Sequence, residues 1–177
     1  MKSKVQSLKS KVEKWAIVAL GANLDDFRGN ILRGMRRLEE FSDRPLLRSS
    51  LWQTSPVDCP PGSPVFVNAV VGLMPREDET PETLLAKLQA LEKEFGRRPK
   101  KVLNEPRPLD LDLIAFAGEV RHGDFLVLPH PRAHERRFVL QPLAEISPDL
   151  ILPGQRRTAT ELLEMLPAGE SVKKLSG

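Results

Sequence analysis

The chain has 177 residues, 40% of them hydrophobic and 29% charged, with a formal net charge of +3. That is enough for one domain of ordinary size that buries most of its apolar surface, while no apolar run approaches the roughly 20 residues a membrane helix needs. A single cysteine, Cys59, excludes an internal disulfide and fits a reducing, cytoplasmic setting.

The first fourteen residues carry five lysines, with Val5, Leu8, Val12 and Trp15 spaced for one helical face. They lack the uninterrupted apolar core of a secretory signal and read as a basic extension, 1–14, ahead of a single domain, 15–177. Trp15 to Gly21 is a short apolar run ending in glycine, the pattern of a buried strand. Asn23 and Asp25 offer N-caps for a helix to about Phe41, with Ile31, Met35 and Leu38 on one face. Leu46 to Thr54 reads as a strand, and Ser55 to Pro64, with four prolines and a glycine, as a loop. Val65 to Leu73 is a β-branched strand. Thr80-Pro81 starts a helix whose core face is Leu84, Leu85, Leu88, Leu91 and Phe95. Gly96 to Pro108 is a basic loop leading into a strand, Leu109 to Phe116. A turn at Ala117–Glu119, a short strand over Phe125 to Leu128, a helix within Glu135 to Ile146 that Pro142 should kink or restart, and a helix near Ala159 to Leu166 complete the chain. The order strand, helix, strand, strand, helix, strand is the βαββαβ arrangement of α+β, ferredoxin-like folds, an antiparallel sheet with helices packed on it.

The most informative stretch is Pro106-Arg107-Pro108-Leu109-Asp110-Leu111-Asp112-Leu113-Ile114-Ala115-Phe116. Strand side chains alternate, so Asp110 and Asp112 share one face, with Ile114 and Phe116 beyond them, while Leu109, Leu111 and Leu113 line the other. Two neighbouring carboxylates repel unless a positive group sits between them. A hard cation such as Mg²⁺, shared with substrate phosphates, meets that need. Arg97, Arg98, Lys100, Lys101 and Arg107 stand in the loop just before the pair. Positive groups beside bound metal suit a polyphosphate. Arg107, three residues from Asp110, and Arg97 are the candidates to grip phosphate. Arg98 is a weaker candidate, and Lys100 and Lys101 read as solvated.

Phe66 and Asn68 share a strand face, a plausible way to hold a flat heterocycle by stacking and paired hydrogen bonds. Thr54 and Pro56 could complete that pocket, although an edge asparagine beside a core phenylalanine is the plain reading. His130 lies in a rigid Pro-His-Pro turn near Arg132 and Arg136, where it could contact phosphate. Gln89 and Glu92 are, by pattern, merely exposed. Phosphate-binding glycine loops, zinc spacings and the nucleophile elbow are missing. A rival class is a basic metal-dependent nucleic-acid-binding protein or nuclease, suggested by the arginine runs. The small net charge and the lack of an RNA-type aromatic strand signature speak against it.

Several segments together resemble the 6-hydroxymethyl-7,8-dihydropterin pyrophosphokinase family. They are Ala19-Leu20-Gly21-Ala22-Asn23-Leu24, Ser50-Leu51-Trp52-Gln53-Thr54, Phe66-Val67-Asn68-Ala69, the Pro106–Ile114 run, Pro129-His130-Pro131-Arg132 and Arg137-Phe138-Val139-Leu140-Gln141-Pro142-Leu143. The resemblance implies transfer of the ATP β,γ-diphosphoryl unit to a pterin hydroxymethyl group in folate synthesis, leaving AMP. It implies that Asp110 and Asp112 hold two Mg²⁺ ions, with Arg97, Arg107 and Asp112 catalytic. Thr54, Pro56, Phe66, Asn68 and Phe138 would form the pterin site; Gln89, Glu92, Arg98, His130 and Arg136 would contact ATP. ATP and the pterin are then the partners, with no nucleic acid or membrane, on a monomer or weak dimer. Asn104-Glu105, Pro99 and Pro131 depart from residues common in the family.

Overall fold

A computed structural model describes residues 14–55, 61–99, 101 and 106–176. The basic extension up to residue 13, Pro56, Cys59 and Lys100 lie outside them. In chain order the elements are strand β1 (Ala16–Ala22), helix α1 (Phe27–Glu39), strands β2 (Leu47–Arg48), β3 (Trp52–Thr54) and β4 (Phe66–Leu73), helix α2 (Pro81–Glu94), strands β5 (Asp110–Phe116), β6 (Arg121–His122) and β7 (Val127–Leu128), a 3₁₀ turn (Ala133–Glu135), helices α3 (Arg137–Ile146) and α4 (Ala159–Met165), and strand β8 (Val172–Lys174).

The main sheet runs β5-β1-β4-β3-β8, with β2 also paired to β4, and its recorded pairings are antiparallel. The apolar run of β1 puts it between β4 and β5, where both faces are covered. On one face Val18, Leu20, Val67, Ala69, Leu111 and Leu113 pack beneath α1 and α2 through Ile31, Leu38, Leu84, Leu88 and Leu91. On the other, Ile17, Ala19, Val70 and Ile114 meet Val139, Leu140 and Leu143 of α3 and Ala159 of α4. The structure is therefore mixed α/β, an antiparallel sheet between two helical layers.

Local chemistry explains the helix starts. α2 opens with Thr80 and Thr83 in a reciprocal capping box and Pro81 at the first helical position, where its missing N–H is no loss. Thr158 and Glu161 do the same for α4. The cap of α1 is Asp26, whose side chain accepts from Gly29 N at 3.0 Å, and not Asn23 or Asp25. Asp25 takes a left-handed turn, φ 57°, which places the cap one residue later. α3 continues through Pro142 without restarting. That proline forfeits one helical hydrogen bond, and its neighbours Val139, Leu140 and Leu143 are buried against the sheet.

Four further expectations change. Leu46–Thr54 is two short strands, because Ser49 bonds to Val70 through both its backbone N–H (3.0 Å) and its hydroxyl (2.9 Å) and interrupts regular pairing. The strand expected over Phe125–Leu128 is only Val127–Leu128, with Phe125 96% exposed. β8 is an edge strand that its polar sequence gave no reason to expect. Phe116 does not share the face of Asp110 and Asp112. The β1–β5 register shifts between Ile17 and Val18, so Ile114 and Ala115 both face α3 while Phe116 joins the α1/α2 core. An extra residue in one strand reverses the alternation beyond it.

Candidate active site

The register fixes the site. Asp110 lies opposite Gly21 on β1, Gly21 opposite Asn68 on β4, and Asn68 opposite Trp52 on β3. Paired residues share a face, so this row crosses the sheet on the α3 side, with Asp112 and Ala19 one step along. Two strand spacings, about 10 Å, separate the acid end from the amide end. Glycine leaves the middle of the row clear: a Cβ on Gly21 would stand 3.1 Å from Asn68 Oδ1, close enough that the amide would have to give way.

At the acid end, Asp110 Oδ1 takes Arg97 at 3.0 Å and Arg107 at 3.1 Å. Arg97 also pairs with Glu92. Glu92, on the last turn of α2, is 4% exposed and accepts the Leu111 backbone N–H at 2.7 Å. Pattern alone makes Glu92 a surface residue; it is buried because α2 ends against the outer edge of β5, where Leu111 needs an acceptor. Burial, with Asp110 beside it, pushes the Asp112 carboxyl up to about 6, against the pull of Arg136, Arg107 and Arg97. Burial likewise lifts Glu92 to about 7, opposed by the Leu111 N–H and Arg97. His130 sits in the turn after the cis Leu128–Pro129 bond; its backbone donates to Ile114 O at 2.8 Å and its Nδ1 accepts from Arg132 N at 3.2 Å. Burial and then Arg136 and Arg132 lower its pKa. Arg136 lies over the Phe138 ring, 5.4 Å from its centre.

At the amide end, Asn68 Nδ2 donates to Thr54 Oγ1 at 2.7 Å, both residues buried. That bond leaves Asn68 Oδ1 directed towards Gly21. Trp52 is pinned by Glu145 of α3, which accepts from its Nε1 at 3.0 Å and from Ser50 N at 3.1 Å. Phe66 begins β4, half-buried, opposite Thr54. A flat, hydrogen-bonding ring and a polyanion thus have separate ends of one row available.

A family model described as 7,8-dihydro-6-hydroxymethylpterin-pyrophosphokinase matches residues 17–148. The chain belongs to this family. It is 36% identical over 151 residues to the 2-amino-4-hydroxy-6-hydroxymethyldihydropteridine pyrophosphokinase of Synechocystis sp., covering 85% of this chain and 75% of that protein. The Pseudomonas aeruginosa protein of the same name is 37% identical over 161 residues, 90% of this chain and 96% of its own length. Folic acid synthesis protein fol1 of Schizosaccharomyces pombe is 34% identical over 166 residues, and there the match spans 22% of the relative. Among solved structures, Plasmodium falciparum HPPK-DHPS with pteroate aligns at TM-score 0.67 over 85% of this chain and 44% of that one. At 12% identity it speaks for the fold alone.

A pyrophosphokinase of this family transfers diphosphate from ATP to 6-hydroxymethyl-7,8-dihydropterin in folate synthesis, and that is the function of this chain. The nuclease alternative has no support among these relatives. Of the expected site residues, Arg97, Arg107, Asp110, Asp112 and Glu92 come together, with Arg136 and His130 within electrostatic reach. Asn68 and Thr54 are joined directly. Gln89 and Arg98 are exposed, and Pro56 lies outside the described residues.

The donor set fits a hard divalent cation. Asp112 carries the cost of burying a second negative charge beside Asp110, and a cation would relieve it. Among the described residues no three His, Cys, Asp or Glu side chains are grouped to hold a metal unaided, so ligand oxygens would have to complete its shell. Sequence reasoning assigned no site role to Glu145, nor to Gly21 and Asn23, although these two lie in the Ala19–Leu24 segment of the resemblance. Asn23 and Glu145 act through backbone and cross-element hydrogen bonds, whose partners are distant in sequence.

Proposed function

We propose that the pyrophosphokinase reaction takes place along the Asp110–Gly21–Asn68 row, with the nucleotide phosphates at the acid end and the pterin at the amide end. Asp110 and Asp112 would hold Mg²⁺, two ions in the full complex with ATP. When bound, Mg²⁺ neutralises phosphate oxygens and lowers the barrier to displacement at phosphorus.

The chain's own residues do the rest. Arg97 and Arg107, which flank Asp110, donate to phosphate oxygens. They balance charge that shifts onto the leaving AMP oxygen. His130, neutral because burial and two arginines disfavour its cation, contacts phosphate as a hydrogen-bonding group, and Arg136 adds charge from the start of α3. Gln89, Glu92 and Arg98 border the nucleotide. Asn68 and Thr54 fix the edge of the pterin, between Phe66 and Phe138, with Pro56 on its rim. The pterin alcohol attacks the β-phosphorus, its proton leaves to solvent or phosphate, and the bond to the α-phosphate oxygen breaks.

The fold reading that goes with this is ferredoxin-like, supported by the β1-α1-β3-β4-α2-β5 succession and the sheet order β5-β1-β4-β3. The domain spans residues 15–177 and works in the cytoplasm as a monomer or weak dimer. The observation that carries the proposal is the pair of arginines on Asp110 beside a buried second carboxylate. Its test is incubation with ATP, Mg²⁺ and the reduced hydroxymethylpterin: AMP should appear in step with pterin diphosphate, and release of ADP instead would refute it.

A further inference from the structure

We propose that Asn23 is a positioning residue for Arg107, holding its backbone so that the guanidinium stays in register with Asp110. The inference rests on the reading of Arg107 as a group that assists transfer.

The β1–β5 ladder ends where Gly21 faces Asp110. Beyond it the chain swings through the left-handed Asp25 into α1, and a strand carbonyl is no longer available to the residues preceding β5. Asn23 fills that gap. Its backbone N–H donates to Arg107 O at 3.3 Å, and its side-chain Oδ1 accepts the Arg107 N–H at 2.9 Å. One residue thus clamps both backbone polar groups of Arg107. Asn23 is 3% exposed, so water does not compete for these bonds. The clamped residue is the one whose guanidinium lies 3.1 Å from Asp110.

Two further facts point beyond ordinary loop stability. Asn23 does not cap α1; Asp26 does. In addition, the buried side-chain donors left without a hydrogen-bond partner among the described residues are Asn23 Nδ2 and Arg107 Nε, one on each member of the pair. Native structures rarely bury such groups without a reason. The residue type also matters. Serine is too short to reach the Arg107 N–H in this way, leucine offers no acceptor, and aspartate would bury a further negative charge.

The test is a double-mutant cycle on the full chain with ATP, Mg²⁺ and the reduced hydroxymethylpterin. Asn23→Ala should lower kcat by roughly tenfold to a hundredfold, the scale of a buried hydrogen bond lost on the path to the transition state, with KM for the pterin within about twofold. Because Arg107→Ala keeps the backbone clamp but lacks the guanidinium, the double variant should be no more than about twofold slower than Arg107→Ala alone. Asn23→Ser, a milder change, should show the same overlap if Asn23→Ala folds poorly. A full-speed Asn23→Ala, or losses that multiply in the double variant, would overturn the inference while leaving the role of Arg107 intact. A full-speed Arg107→Ala would instead remove the premise, and the inference with it.

Discussion

The two ends of the Asp110–Asn68 row are built on opposite plans. At the amide end the polar groups are matched: Asn68 is bonded to Thr54. Glu145 takes Ser50, Trp52 and Lys174. Burial would raise the Glu145 carboxyl, yet the hydrogen bonds from Ser50 and Trp52 hold it below its ordinary range. The acid end is the reverse. Asp112 and Glu92 are pushed upwards, two arginines crowd one oxygen of Asp110, and Asn23 and Arg107 keep unanswered donors. A flat neutral ring can be received by a finished surface, whereas a metal-bound polyphosphate is met by charges that balance only once it arrives.

The largest expected effect breaks the acid end outright. Asp110→Ala and Asp112→Ala should each cut turnover by at least roughly a thousandfold, the loss of a metal's charge stabilisation, with the circular dichroism of the native fold retained. Near-normal rates with Mg²⁺ in either variant would end the comparison. Next, Arg107→Ala should lower kcat by roughly a hundredfold to a thousandfold, as for other lost transition-state donors, while calorimetric pterin affinity changes little. Weakened pterin binding with an intact rate would show that the two ends are not separate.

On the other side, Asn68→Ala should weaken pterin binding by roughly tenfold or more, the cost of a buried hydrogen bond and an orphaned Thr54 hydroxyl, and leave nucleotide binding within about twofold. A matching loss in both titrations would contradict the division. Glu145→Gln should cost roughly 1–2 kcal/mol of stability, lowering Tm by about 3–6 °C for a domain of this size, with kcat preserved at temperatures where the variant is folded.

The smallest effect is a matter of pH. The Glu92 pKa is raised in the fold, so its contribution to ligand-free stability is complete below the ordinary range near 4.5 and is lost as pH rises through about 7. Glu92→Gln keeps an acceptor for Leu111 N–H and should flatten the dependence of Tm on pH between those limits. An unchanged slope would assign the pH dependence to other groups.

Much of this was legible in the sequence. The apolar run of β1, the Thr80-Pro81 start of α2 and the alternation of β5 as far as Ile114 are local signals, and the structure keeps all three. The Asp110/Asp112 pair is legible for the same reason: two acids in a strand need a partner, and the arginine loop names one. What sequence could not show depends on contacts across distance. A bulge turns Phe116 over, Ser49 splits one strand into two, and the polar β8 is a strand only because β3 leaves an open edge. Glu92 carries the lesson furthest, since helical periodicity exposes it and only the neighbouring strand explains its burial.

That neighbouring strand is the last in its sheet. Bare strand borders recruit foreign chains and seed aggregates. Here Leu111 N–H is taken by a carboxylate and Ile114 O accepts from the His130 peptide, so the border carrying the acids is covered at two points. The carboxylate that answers Leu111 therefore also guards solubility, and truncating Glu92 should show as precipitation when the protein is concentrated.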